Sequence, residues 1–183
     1  MSFTPLRQFP EKTIRQFLQG IPFYNTVRGQ DIEQFRLLLA HSHIGQYNPG
    51  EVLVERGEKD FWLFFLLRGQ LDVFAGDTAN YPPVNHITPG EVFGDLSMLT
   101  GRERTASIYA SEAVKQVLVL ALDFRAFGLL KDFSTLSLQT KLAYYRNTVH
   151  NLRWKLEVYR MNHPGSTLAP RHRAVKLFTG ARD

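Results

Sequence analysis

The chain has no cysteine among its 183 residues. Disulfides and thiolate metal sites are thereby excluded, and the composition suits a reducing, cytoplasmic setting. A long apolar run is also missing. The longest, Phe61 to Leu67, spans seven residues, far short of the ~20 that a membrane helix needs. The first residues, Met1-Ser2-Phe3-Thr4-Pro5, lack the basic segment and apolar stretch of a secretory signal. No Gly-x-Ser-x-Gly elbow, no Walker loop and no recognisable pair of catalytic carboxylates appears, so the expectation is a non-enzyme. Acidic residues are scarce at one end. From Ser134 onward nine Lys/Arg stand against two Asp/Glu, a balance of +7. The whole chain carries +5, so the first 133 residues carry −2. A basic end can attract an acidic partner, nucleic acid or an anionic surface, or form an ordinary solvated helix face.

Hydrophobic residues make up 44% of the chain, enough for a core, and charged residues 21%. Residues 11–40 read as helical. Ile14, Phe17 and Leu18 keep helix spacing, and Ile32, Phe35, Leu38 and Leu39 repeat it after a polar break at Gly29–Asp31. From about 43 to 121 the pattern changes to short β-rich runs between turn signals such as Asn48-Pro49-Gly50, Arg68-Gly69-Gln70 and Thr88-Pro89-Gly90. Two corners repeat, Tyr47-Asn48-Pro49-Gly50-Glu51 and Ile87-Thr88-Pro89-Gly90-Glu91. Many short, evenly punctuated strands predict a rolled-up sheet of jelly-roll type. Asp123 to Lys131 reads as a short helix, and Ser134 as the N-cap of a longer one running to Asn162, where His163-Pro164-Gly165 stops it. The fold class is therefore α+β. A β-jelly-roll is flanked by N-terminal helices and a long C-terminal helix, with one domain over residues 1–162. Residues 163–183 read as a basic, disordered tail.

The long helix carries apolar residues at Leu138, Leu142, Tyr145, Val149, Leu152, Leu156 and Tyr159. Steps of four and three alternate along the whole series, the seam of a coiled coil. The spacing predicts a parallel homodimer through this helix.

One segment concentrates binding chemistry. Phe93-Gly94-Asp95-Leu96-Ser97 is followed seven residues later by Arg104-Thr105-Ala106-Ser107. A glycine permits close backbone approach. Amide N–H groups of a tight turn, here Gly94 and Leu96, can nest an anion. An arginine presents a planar fork of donors to phosphate oxygens, and a buried guanidinium without an anion is costly. The alternative is a permanent internal ion pair, with Asp95 as the acid. Asp95 could also cap a short helix beginning near Leu96.

Residues 90–107 resemble the phosphate-binding cassette of the cyclic nucleotide-binding domain family, which includes catabolite activator-type sensors, kinase regulatory subunits and gated channels. The family pattern is Phe-Gly-Glu-Leu-(Ala/Ser), a loop, then Arg-(Ser/Thr)-Ala. This chain departs at Asp95, where glutamate is usual. The resemblance implies a β-roll that holds cAMP or cGMP as regulatory ligand, most simply cAMP. It implies phosphate contacts from Arg104, Ser97 and Thr105, a ribose contact from Asp95, and an influence of Thr105 on base preference. Activator-type members take their base contact from the long helix, which makes Asn147, Thr148 and Asn151 the polar candidates. No helix-turn-helix follows: only 21 residues remain after Asn162, too few for sequence-specific DNA reading. The expected module is a sensor that signals through its C-terminal helix to an unknown output protein. Two alternatives keep the fold. One is a ligand-free scaffold dimer with a lapsed pocket. The other is a cyclic dinucleotide (c-di-GMP) receptor using Arg153, Arg160, Arg171 and Arg173. A metal site at His41-Ser42-His43, as in cupins, lacks its glutamate.

Overall fold

The computed structural model describes residues 3–76, 82–129 and 131–162. The chain divides into two compact units, Met1–Tyr145 and Arg146–Asp183. The proposed tail, 163–183, lies outside the described residues.

The first unit opens with a short strand, β1 (Phe3–Pro5), and three helices: α1 (Glu11–Leu18), α2 (Pro22–Gln30) and α3 (Ile32–Ala40). Ile21 precedes α2, which begins at Pro22. Proline occupies the first helical turn, where its missing N–H costs nothing. The Asp31 carboxylate caps α3 by accepting from the Glu33 and Gln34 amides at 3.0 Å each.

Eight further strands follow: β2 (Ser42–Tyr47), β3 (Val52–Val54), β4 (Trp62–Arg68), β5 (Leu71–Phe74), β6 (Asn85–Ile87), β7 (Val92–Phe93), β8 (Ser107–Ala110) and β9 (Val117–Asp123). They form two antiparallel sheets, ordered β1-β2-β9-β4-β7 and β3-β8-β5-β6. The long apolar run of β4 follows from its position. Leu63 and Phe65, with Leu120 and Leu122 of β9, face the helices. Phe64 and Leu66, with Val119 and Ala121, face the interior of the roll. A strand buried on both faces needs apolar residues at every position.

The two repeated corners are built alike. The Glu51 carboxylate accepts from the Asn48 amide at 2.8 Å, and the Glu91 carboxylate from the Thr88 amide at 2.7 Å. At the edge of the larger sheet Phe3 lies opposite Gly45. A Cβ at Gly45 would come within 2.8 Å of the Phe3 ring, so this glycine makes room for β1.

After β9 the chain makes a 3-10 turn, Phe124–Phe127, rather than a helix to Lys131. Phe124 and Phe127 stack at 4.3 Å, as the three-residue repeat of a 3-10 turn allows. The long helix α5 spans Leu138–Asn162 and starts later than Ser134. The Ser134 amide instead donates to the Asp132 carboxylate, and the Ser137 hydroxyl accepts from the Thr140 amide at 3.2 Å. The Ser137 amide in turn donates to Gln34 of α3 at 2.7 Å. Among the described residues no helix is long and apolar enough to cross a membrane.

Candidate anion-binding site

The cassette segment folds around one buried guanidinium. Phe93 ends β7 and stacks on Phe64 of β4, with ring centroids 5.0 Å apart. Gly94 follows at φ +80° and opens the short helix α4 (Asp95–Thr100). Any side chain would be strained there. A Cβ would also stand 2.6 Å from Arg104 Nη1.

Arg104 is 4% exposed. It sits in the loop before β8, not on the strand itself. All five of its N–H donors are engaged. Nε donates to Asp60 Oδ2 at 2.9 Å. Nη1 donates to the Gly94 carbonyl and the Ser97 hydroxyl, both at 2.7 Å. Nη2 donates to Asp60 Oδ1 and, at 2.6 Å, to the Trp62 carbonyl. The internal ion pair thus exists, but its acid is Asp60 and not Asp95. Ser97 Oγ donates in turn to the Gly94 carbonyl at 3.1 Å. In this state Gly94 presents its carbonyl to the guanidinium.

The other cassette residues face outward. Asp95 is half-buried and its carboxylate makes no hydrogen bond or ion pair with any described residue. Leu96 is 53% exposed, and Thr105 is exposed with its hydroxyl unpartnered among the described residues. Arg104 and Thr105 line a cleft of about 540 Å³ whose rim carries Arg56, Lys59 and Arg102 against Glu103. The excess of cations makes this cleft attractive to an anion.

Asp60 and Trp62 are the site residues that the sequence reading missed. Asp60 stands at the end of the polar run Arg56-Gly57-Glu58-Lys59, just before β4. The available signal was the demand itself: a buried arginine needs a carboxylate. Asn147, Thr148 and Asn151 fall beyond Tyr145, in the second unit, so their link to the cassette rests on the resemblance alone. Of the arginines proposed for a cyclic dinucleotide, Arg160 donates to Glu157 at 3.2 Å. Arg153 is exposed, and Arg171 and Arg173 lie outside the described residues. Among the described residues no group of three or more His, Asp or Glu side chains could hold a metal ion.

Residues 44–128 match the model of the cyclic nucleotide-binding domain. A cAMP-dependent protein kinase regulatory subunit from Colletotrichum orbiculare is 28% identical over 99 residues, covering 54% of this chain and 24% of that protein. The chain therefore matches about a quarter of the length of this relative. Among solved structures, the regulatory subunit of a cAMP-independent protein kinase A from Trypanosoma brucei superposes with TM-score 0.57 at 24% identity, covering 82% of this chain and 49% of that one. The counterpart from Trypanosoma cruzi, bound to guanosine, gives TM-score 0.51 at 27% identity over 63% of this chain and 39% of that one.

Proposed function

We propose that this cyclic nucleotide-binding domain is a regulatory module that binds a cyclic mononucleotide, cAMP in the first instance, through Arg104, and signals through α5. The observation that carries the reading is Arg104: a buried guanidinium in the cassette loop, beside a cationic cleft. Its Nη1 is held by two neutral acceptors, the Gly94 carbonyl and the Ser97 hydroxyl. A phosphate would replace neutral acceptors with charged oxygens. Hydrogen bonds with an ionised partner contribute about 1.5–3 kcal/mol against about 0.5–1.5 for neutral ones. Exchanging both acceptors thus favours the phosphate by about 2 kcal/mol, or ~30-fold in affinity. Thr105 supplies a free hydroxyl at the cleft, and Asp95 a free carboxylate for a ribose hydroxyl.

Ligand entry then has a structural consequence. Gly94 and Ser97 must release Arg104; Gly94 is the N-cap of α4 and Ser97 lies in its first turn. A state with α4 shifted is favoured by as much as the ligand prefers it. The proposed output is α5. Its seam residues Leu138, Leu142, Val149, Leu152, Leu156 and Tyr159 are 39–63% exposed, while Tyr145 packs on the core of the first unit. A second copy is the occupant that alternating four-three spacing fits, giving a parallel dimer. An unknown output protein would read this arrangement.

One observation favours a second ligand class. Arg104 is already neutralised by Asp60, so the site does not require a phosphate to be stable. A nucleoside without phosphate, as in the guanosine complex of the Trypanosoma cruzi protein, is the alternative. Calorimetric titration with cAMP, cGMP, guanosine and c-di-GMP separates these readings. Micromolar or tighter binding of a cyclic mononucleotide supports the proposal. Heat from guanosine alone supports the second reading, and no heat from any of them contradicts both.

A further inference from the structure

A second cavity, of about 530 Å³, adjoins the first cleft, sharing Lys59, Gly101 and Arg102 with it, and is lined by Ser97 and Met98 of α4 and by the segment that follows β9. Its volume falls within the range of small-molecule sites. Phe61, Met98, Phe124 and Leu129 give it an apolar lining. Phe61 is 58% and Leu129 80% exposed, and large apolar side chains grouped in the open mark a binding surface. The charges around it are unequally committed. Asp60 is held by Arg104, Arg125 pairs with Asp123, and Asp132 accepts from the Ser134 amide. Lys59 approaches Glu103 only to 3.7 Å, with both side chains exposed. Arg102 has no partner among the described residues. The lining carries Lys59, Arg102 and Arg125 against Asp60 and Asp132, one positive charge in excess.

We propose that this cavity binds a small amphipathic anion, an apolar chain or ring bearing a single carboxylate. The apolar body lies over Phe61, Met98, Phe124 and Leu129, and the carboxylate reaches Arg102 and Lys59. The position gives such a ligand leverage on the cassette. Two of the groups that hold Arg104, Asp60 and Ser97, form part of the cavity wall. The opposite wall, with Leu129 and Asp132, is tied to α5. Lys141, only 2% exposed, donates from Nζ to the Leu129 carbonyl at 2.8 Å and to the Asp132 carbonyl, and faces the Phe133 ring. A buried ammonium answered by backbone carbonyls holds that turn in one place. The cavity therefore joins the support of Arg104 to the anchor of the long helix.

The test is a titration of the full chain with decanoate, followed by methyl NMR of ¹³C-methyl methionine. The sequence has three methionines, Met1, Met98 and Met161, so Met98 is assigned by Met98→Leu. A saturable Met98 shift is expected, with Met161 unmoved, and the Arg104 Nε–H signal should move in parallel. Decanol should bind at least fivefold more weakly than decanoate, and Arg102→Glu, an exposed substitution, should weaken decanoate by a similar factor. The proposal is overturned if Met98 stays unmoved at millimolar decanoate, if Met161 shifts equally, or if decanol binds as well. A Met98 shift with an unmoved Arg104 signal would refute the leverage on the cassette.

Discussion

Arg104 and Asp60, 44 residues apart in the chain, meet through two parallel hydrogen bonds, Nε to Oδ2 at 2.9 Å and Nη2 to Oδ1. The fork-to-fork geometry fixes the plane of the guanidinium, and it leaves Nη1 to the two neutral acceptors of the cassette. Asp60 therefore acts on the site in two ways. It holds Arg104 in place, and it competes with any incoming anion for the same positive charge.

The substitution Asp60→Asn separates these effects. The amide keeps the shape and removes the charge. We expect the unliganded protein to lose about 1–3 kcal/mol of stability, the cost of a weakened buried partner, because the Asp60 side chain is itself 27% exposed. Cyclic nucleotide affinity should rise several-fold, since Arg104 then lacks its internal anion. Thermal denaturation with and without cAMP measures both.

Gly94→Ala tests the turn itself. The residue sits at φ +80° with Arg104 Nη1 2.6 Å from the place of a Cβ. A non-glycine residue in the left-handed region costs about 1–3 kcal/mol, and the contact displaces the guanidinium. We expect a lower melting temperature and cyclic nucleotide binding weakened at least tenfold. Wild-type binding by this variant would contradict the described geometry.

Acid should loosen the N-terminal strand. His43 has an Nδ1 atom buried without a partner among the described residues, and its ring meets Trp62 edge-on at 5.3 Å. Burial holds its imidazole below the usual value, with the Asp123 charge and a hydrogen bond to the His41 backbone opposing that shift, and the charges of His41 and Arg7 adding to it. The folded state thus binds fewer protons than the unfolded one, and stability rises with pH through this window. It should be complete above about pH 6.5, the unfolded value, and decline as pH falls toward the lowered folded value. Denaturant midpoints between pH 7.5 and 5, compared in wild type and His43→Gln, should show a slope that the variant lacks.

The seam of α5 predicts an oligomeric state. Sedimentation of the full chain should give a dimer. The double substitution Val149→Glu and Leu156→Glu, at exposed positions, should give a folded monomer. A wild-type monomer at high micromolar concentration would contradict the coiled-coil reading.

Much of the fold was legible because its signals are local. Turn residues punctuate the roll, and the Asn48–Glu51 and Thr88–Glu91 corners use the same carboxylate-to-amide bond. The turn at Gly94 and the burial of Arg104 were legible for a related reason, since both belong to one short segment. What escaped was set by distant parts of the chain. Asp60 reaches Arg104 only because β4 and the cassette loop are neighbours in the roll. The strand β1 has three residues and a proline, too little for a periodic signal, and exists because Gly45 leaves space for Phe3. The sequence places the start of α5 three residues early because Asp132 draws the Ser134 amide into a turn. Lys141 lies outside the apolar seam of α5, and the carbonyls of Leu129 and Asp132 account for its burial.

The central claim is that Arg104 takes the phosphate of a cyclic nucleotide. The most direct measurement compares cAMP with adenosine by calorimetry, in the wild type and in Arg104→Lys, which keeps a buried cation but loses the fork. The account predicts that the wild type prefers cAMP by ~30-fold, in line with two neutral acceptors exchanged for charged oxygens, and that the variant loses most of this preference. Equal affinities for cAMP and adenosine in the wild type, or an undiminished preference in Arg104→Lys, would contradict it.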